Sequence, residues 1–325
     1  QKTAQEIINY CLDNGIANPV EMLRFAQKKI VIGRSLEIID PSTSDEGETN
    51  FICVNRHDVF NSAVEELESF HDFRLTLEVS FYGETAKDFG GPRKEFFRLC
   101  LREIKERLFE KGLQNHLDKE YESAGLIMAL SILQNGNIPT FIPEEILQEL
   151  FTKENPSPCV WKLREGFEKL GIYSICSKMP SFLHLFRPSV SSILSRKQLV
   201  TLLKPDFAEE GSNIRKFENE AYASFMKYVR EVAAGRRDQI SLQHILQFVT
   251  CADQEPILGF ELEPSITFIP ATDSSKWSFL PSAHTCTNRL ELRRSHIGLT
   301  NSPPREDDLF EIYDHAFCNV YFGKM

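Results

Sequence analysis

The sequence lacks the marks of several protein classes. It has no excess of positive charge: Lys and Arg number 37 against 47 Asp and Glu, a formal charge of −10. A general nucleic-acid binder meets phosphates with net positive charge, so only a local basic patch could serve that role and no nucleic-acid partner is expected. It has no C-x-x-C pair, since the eight cysteines, at 11, 53, 100, 159, 176, 251, 286 and 318, are never closer than 17 residues. That spacing excludes a zinc knuckle, and a chain of this length builds a core without disulfide staples. There is no N-x-S/T sequon with a permitted middle residue, and nothing at the start reads as a signal peptide. Free thiols in a reducing compartment, cytosol or nucleus, are the expectation. The opening on Gln1 within an amphipathic run reads as a piece of something longer.

Long apolar runs are also missing. Ser123 to Pro143 carries no charge, but its apolar centre is only Gly125 to Leu133, followed by Gln134, Asn135, Gly136, Asn137 and two prolines. A membrane span needs roughly 20 mostly apolar residues, so a buried helix ending in a turn is expected, and no membrane partner. Nucleotide-binding loops are absent too. There is no G-x-x-x-x-G-K-[ST], and Asp88-Phe89-Gly90, the kinase metal-binding tripeptide, stands without a Gly-rich loop, strand lysine or H-R-D loop.

What is present is an ordinary globular composition, 42% hydrophobic and 26% charged, which excludes a disordered tail or a collagen. Helices are expected at 3–12 and from Pro19, a solvated loop at 41–50, a strand at Phe51–Val54, a helix at His57–Phe70 and a half-buried strand through Leu75, Leu77 and Val79. Pro92 opens a helix to about Lys111, and further helices follow at about 117–134, 143–151, 160–170, 179–186 and 196–203. Residues 204–213, KPDFAEEGSN, read as a linker or hinge. Beyond it come helices at 214–234 and 241–249, a strand at Ile266–Ile269, a turn and strand over Ala283–Leu292, and a helix at Pro303–Asn319 with Glu306, Asp307 and Asp308 at its positive end. The fold class is α+β: a mostly helical part at 1–205, a hinge at 206–213 and a smaller α/β part at 214–325.

Cys286 lies in LPSAHTCTN, residues 280–288, a polar stretch flanked by Pro281 and expected to be an exposed loop. A cysteine with His284 two residues away has the ingredients of a nucleophile. The thiolate is the attacking species, and only a minority of a free thiol ionises near neutrality. The plain alternative is a surface or packed cysteine in a turn. A cysteine protease would need a His and an Asn or Asp held close in space, and no protease signature is visible. A zinc site at His284 and Cys286 lacks two further ligands.

The segment LPSAHTCTNRLEL resembles the active-site segment of HECT-type ubiquitin ligases, L-P-x-x-H-T-C followed by an aromatic, Asn and a strand. Upstream, residues 77–84 (LEVSFYGE) and 88–97 (DFGGPRKEFF) are similar to that family's strand, G-E, D-x-G-G and R-E-F-F elements. Leu246 to Thr250 and Leu258-Gly259-Phe260 are similar to its L-Q-F-V-T and G-F elements. The shortened form resembles the divergent G2/M-phase-specific subgroup. The resemblance implies a two-lobed HECT-like protein with a helical N-lobe that receives a ubiquitin-charged E2 conjugating enzyme. It implies a C-lobe whose cysteine, matched by Cys286, takes ubiquitin as a thioester and passes it to a substrate lysine. It also implies a role in the transfer step for Phe322, fourth from the end, whose plain reading is a hydrophobic residue packing on the last helix. His284 and Thr285 are supporting candidates by hydrogen bonding, or simply shape the loop. No cofactor or metal is implied; the partners are ubiquitin, an E2 and a protein substrate.

The sequence departs from the family pattern in four places. Thr287 replaces the aromatic after the cysteine, Arg293 stands where the strand normally exits through proline, and Cys251 replaces a glycine. Between Phe151 and the segment beginning at Leu163 the family carries a long insertion that forms the E2-docking subdomain; here only residues 152–162 intervene, and that subdomain is expected to be missing. Two readings follow: an active ligase whose E2 is recruited otherwise, or a degenerate HECT module serving interaction or regulation.

Overall fold

The computed structural model describes residues 2–38, 42, 46–114, 118–188, 194–273, 275–296 and 304–318. Helix predominates over strand, in agreement with the α+β expectation. By contacts the chain divides into two units, Gln1–Val190 with Pro256–Gly259, and Ser191–Glu255 with Phe260–Met325.

The first unit opens with α1 (Lys2–Asp13) and α2 (Pro19–Ile30). Asn18 starts α2 by accepting the Val20 and Glu21 N–H groups at 2.8 and 3.4 Å, with Pro19 placed where a missing N–H costs nothing. Strands β1 (Thr49–Val54) and β2 (Thr76–Phe81) pair in parallel, with Ile52 opposite Val79, and α3 (Val59–Leu67) makes the crossover. In β2, Leu77, Val79 and Phe81 are buried while Glu78 and Ser80 are half-buried, the expected alternation.

The Asp88-Phe89-Gly90 tripeptide is a backbone clamp. Asp88 accepts the Val79 N–H at 2.9 Å and the Gly90 N–H at 2.8 Å, joining β2 to the start of α4 (Gly91–Ile104). Gly90 has φ +117°, which a side chain would strain. Beyond it Arg93, fully buried, donates to the Leu77, Gln134 and Leu36 carbonyls. Lys94 pairs with Glu37 at 2.8 Å, and Glu95 lies between Arg56 at 2.9 Å and Arg98 at 2.8 Å. The charges of α4 sit on a helix buried nearly all round and are tolerated there because Lys94 and Glu95 are paired and Arg93 is hydrogen-bonded to carbonyls. The helical path continues past Ile104 as a π-helical turn, Lys105–Phe109.

The apolar centre of the uncharged stretch lies in α5 (Asp118–Leu133), which is buried from Ala124 to Leu133 and followed by Asn135 at φ +59°. Among the described residues no helix is long and apolar enough to cross a membrane. After α6 (Glu144–Thr152) only residues 153–157 intervene before α7 (Pro158–Glu168). Helices α5 and α7 touch through glycine: a Cβ on Gly166 would collide with Glu122 O and lie 2.7 Å from Leu126 N. The unit closes with α8 (Ile172–Lys178), which the sequence pattern did not mark, and a 3-10 helix, Pro180–Phe186.

The second unit begins with α9 (Arg196–Leu202), started by a reciprocal Ser195–Gln198 capping box. Strand β3 (Lys204–Pro205) follows, then α10 (Asn213–Ala233) and α11 (Leu242–Thr250). The sheet is completed by β4 (Ser265–Pro270), β5 (Ser282–His284) and β6 (Arg289–Arg294), in the order β3-β4-β6-β5; β3, β4 and β6 are parallel and β5 is antiparallel. Helix α12 (Glu306–Phe317) carries its three acidic residues in the first turn as expected; Pro303 and Asn319, the expected helix limits, lie outside the described residues. The core joins Phe225, Tyr228 and Val229 of α10, Ile245 and Leu246 of α11, Ile266 of β4, Leu290 and Leu292 of β6, and Tyr313 and Phe317 of α12. Each such large apolar side chain contributes about 1.5–3 kcal/mol when withdrawn from water.

The division between units falls ahead of the composition-marked segment 206–213. Leu199 and Leu203 belong to the second core and β3 pairs with β4. The segment itself is tied into that unit: Phe207 stacks on Phe268 at 5.1 Å, Ala208 N–H donates to Glu218 at 2.7 Å, and Arg215 donates to Ala208 O at 2.8 Å.

Candidate active site

Cys286 sits in a four-residue turn, Thr285–Asn288, that joins β5 to β6. The turn forms for local reasons. Thr287 N–H donates to His284 O at 3.1 Å, and its hydroxyl donates to the same oxygen at 3.3 Å. Asn288 takes φ +50°, the left-handed region that asparagine tolerates better than most residues. Its side-chain amide donates to Leu262 O at 2.8 Å and its carbonyl accepts Ser265 N–H at 2.9 Å, so the turn is pinned to the segment leading into β4.

The two strands then sort their side chains by face. Leu290 and Leu292 are fully buried, so Arg289, Glu291 and Arg293 lie on the other face of β6. Ser282 pairs with Glu291 and His284 with Arg289 across the hairpin. Glu291 accepts from the Ser282 hydroxyl at 2.7 Å, and His284 Nε2 lies 3.1 Å from its other oxygen. Burial alone disfavours the Glu291 carboxylate, but the Ser282 hydroxyl, the His284 ring and Arg293 outweigh it and hold the carboxyl below its usual range. Arg293 also donates to Leu280 O at 3.4 Å. A proline there would lack this donor, and the bond ties the hairpin to the segment before it.

The thiol is half-buried, in contrast to most other cysteines. Cys11, Cys100, Cys159, Cys176 and Cys251 are buried. Burial pushes the Cys100 and Cys176 thiols well up and that of Cys11 up, which keeps them protonated and unreactive. Cys53 is half-buried within β1 and Cys318 is exposed past α12. Cys286 is therefore a partly accessible thiol on the hairpin turn, where an incoming group can approach it.

The sequence candidates are brought together in part. His284 and Thr285 flank Cys286 in the hairpin, but among the described residues no hydrogen bond joins either of them to the thiol; His284 turns to Glu291 instead. Phe322 lies outside the described residues. No group of three His, Cys, Asp or Glu side chains among the described residues could hold a metal ion. Glu291 was not singled out from the sequence. Once the turn is placed at 285–288, the alternation of β6 puts residue 291 on the face of His284, so the register was the missing signal.

A free thiol raised on the turn of a hairpin is open to an incoming electrophile, and a thiol is a group capable of acyl transfer. Residues 171–295 match the family model of the HECT-domain (ubiquitin-transferase). That stretch, which includes His284, Thr285, Cys286 and Glu291, is thus similar to a HECT-type domain. Comparison with curated proteins finds no match to the chain.

Proposed function

We propose that the protein accepts ubiquitin from an E2 conjugating enzyme as a thioester on Cys286 and passes it to a lysine of a protein substrate. The observation that carries this reading is a half-buried free thiol on the β5–β6 turn, inside the stretch of the family match. In the first step the Cys286 thiolate attacks the E2-bound thioester carbonyl. A carbon–sulfur bond forms to Cys286, the bond to the E2 cysteine breaks, and that sulfur leaves as a thiolate. One thioester replaces another, so access matters more than strong catalysis. In the second step a lysine amine attacks the new thioester, an isopeptide bond forms, Cys286 leaves as thiolate and the amine loses a proton.

That second step gains from a base and from hydrogen bonds to the developing oxyanion. An ionised Glu291 only accepts hydrogen bonds, so it selects the His284 tautomer with hydrogen on Nε2 and leaves Nδ1 as an acceptor. His284 then has a free lone pair two residues from the thioester. Thr285 supplies a hydroxyl beside it. In this account the first contact unit serves as the N-lobe and the second as the C-lobe, and Phe322 acts in lysine transfer. The free cysteines support a cytosolic or nuclear setting.

A second reading is favoured by one observation. The joint between α6 and α7 is five residues long, 153–157, which supports the expectation that an E2-docking subdomain is missing. On this reading the domain is a HECT module that binds or regulates without transferring ubiquitin by itself. Discharge of a preformed E2–ubiquitin thioester separates the two. An active ligase accelerates loss of that thioester and the acceleration disappears in Cys286→Ala. A module leaves the rate unchanged whether or not Cys286 is present.

A further inference from the structure

We propose that the far end of the C-terminal sheet holds a second site, one that binds an apolar residue or small molecule through its carboxylate. Strands β4 and β6 run parallel and end in register, Pro270 opposite Arg294. Outside their carboxyl ends lies a cavity of about 340 Å³, lined by Asn213, Ile214, Phe217, Pro270, Arg294 and His296. Ligands of open α/β sheets gather at this edge, beyond the carboxyl ends of parallel strands. Cys286 precedes β6, at the opposite end of that strand, so this cavity is separate from the thiol turn.

The cation in the wall is unsatisfied. Arg294 is half-buried, and among the described residues its guanidinium makes one hydrogen bond, from Nη1 to Ser295 O at 3.2 Å. Its Nε is shielded from solvent and has no hydrogen-bond partner among the described residues. Among the described residues no carboxylate lies within ion-pair distance of Arg294, although acidic residues outnumber basic ones by 47 to 37 in the chain. A guanidinium carries five donors in a planar fork that matches a carboxylate, and a buried donor left unpaired is unfavourable. His296 adds an imidazole ring to the same wall.

The rest of the lining selects the body of the ligand. Ile214, Phe217 and Pro270 present apolar surface, which a bare inorganic anion would leave in contact with nothing useful. The volume is at the low end of small-ligand pockets, about 300–1,000 Å³. It suits one residue-sized apolar group, with its carboxylate on Arg294. Such a group comes either from a free small acid or from the C-terminal residue of a peptide.

The test titrates the full 325-residue chain by calorimetry with N-acetyl-leucine, with N-acetyl-leucinamide, with a pentapeptide ending in leucine and with inorganic phosphate. Saturable 1:1 binding of the acid is expected, with the amide weaker by at least about tenfold, since a charge-assisted pair is lost. Tighter binding of the pentapeptide than of the acid identifies a peptide terminus as the source; equal or weaker binding identifies the free acid. Arg294→Gln should abolish acid binding, and Arg294→Lys, which keeps the charge and loses the fork, should weaken it severalfold should the first variant fail to fold. Acid and amide binding alike, no saturable binding of either acid or pentapeptide, or phosphate binding as tightly as the acid would each overturn the proposal.

Discussion

His284 Nε2 lies 3.1 Å from Glu291 Oε1, across the hairpin whose turn carries Cys286. The lowered Glu291 carboxyl is ionised and only accepts, so the pair fixes which ring nitrogen of His284 carries the hydrogen. Replacing Glu291 by Gln keeps the shape but lets the amide donate as well as accept, so the tautomer is no longer selected. Lysine transfer should slow by about tenfold, a fraction of what a positioned base supplies, while thioester formation changes little. Single-turnover assays of the two steps check this, and equal effects on both count against a positioning role.

The same carboxyl makes a pH prediction for stability. Because its folded value is lowered, its contribution is fully present above the ordinary Glu range of about 4.3 and is lost as pH falls through the lower folded value. Denaturant midpoints of the wild type and Glu291→Gln should therefore converge on acidification from neutrality. The difference at neutral pH should stay below about 1 kcal/mol, since His284 is half exposed. Midpoints that remain parallel down to acid pH would contradict the assignment.

Asn288 holds the turn in two ways, by its left-handed φ of +50° and by its bond to Leu262 O at 2.8 Å. Asn288→Ala removes the bond and strains the backbone, for a loss of about 2 kcal/mol. Asn288→Gly removes the bond but not the conformational freedom and should recover part of that loss. Thermal unfolding of the two variants checks the order; an alanine variant as stable as the glycine variant would show that the backbone conformation is not strained.

Much of the fold was legible because periodicity reports burial directly. The alternation over Leu77 and Val79 and the amphipathic α1 and α2 lie where the pattern put them, although β2 starts one residue after Leu75. The Cys251 departure also has a visible meaning: it follows α11 at φ +61°, a left-handed position where glycine is the unstrained residue. Helix α8 was not legible, being seven residues between two other helices with no room for a period to show. Strand β3 was hidden for a different reason. Two residues next to a charged, glycine-containing loop carry no strand signal, and only the pairing with β4 makes them one. Of the site, Cys286 and His284 stood out by residue type, whereas Glu291 needed the hairpin register.

The α5–α7 crossing depends on glycine at Gly125 and Gly166. In Gly166→Ala the added methyl meets the Glu122 carbonyl and lies 2.8 Å from Gly125 Cα, backbone atoms that cannot step aside cheaply. The variant should lose about 3 kcal/mol or more by overpacking. A denaturant midpoint indistinguishable from the wild type would mean the helices can separate without cost.

Truncation before Phe322 tests the role that the family resemblance assigns to the C-terminal residues. It should slow lysine transfer more than thioester formation. The comparison is made by pulse–chase, with the E2-to-protein and protein-to-lysine steps timed separately, and equal slowing of both would remove Phe322 from the transfer step.

The most direct measurement is the covalent intermediate itself. The chain is mixed with E1, ATP, ubiquitin and each of a panel of E2 enzymes, quenched, and run on non-reducing gels. A ubiquitin adduct that disappears on reduction and is absent from Cys286→Ala, but persists in Cys318→Ala, is the expected result. No adduct with any E2, or an adduct that survives in Cys286→Ala, contradicts Cys286 as the acceptor of ubiquitin.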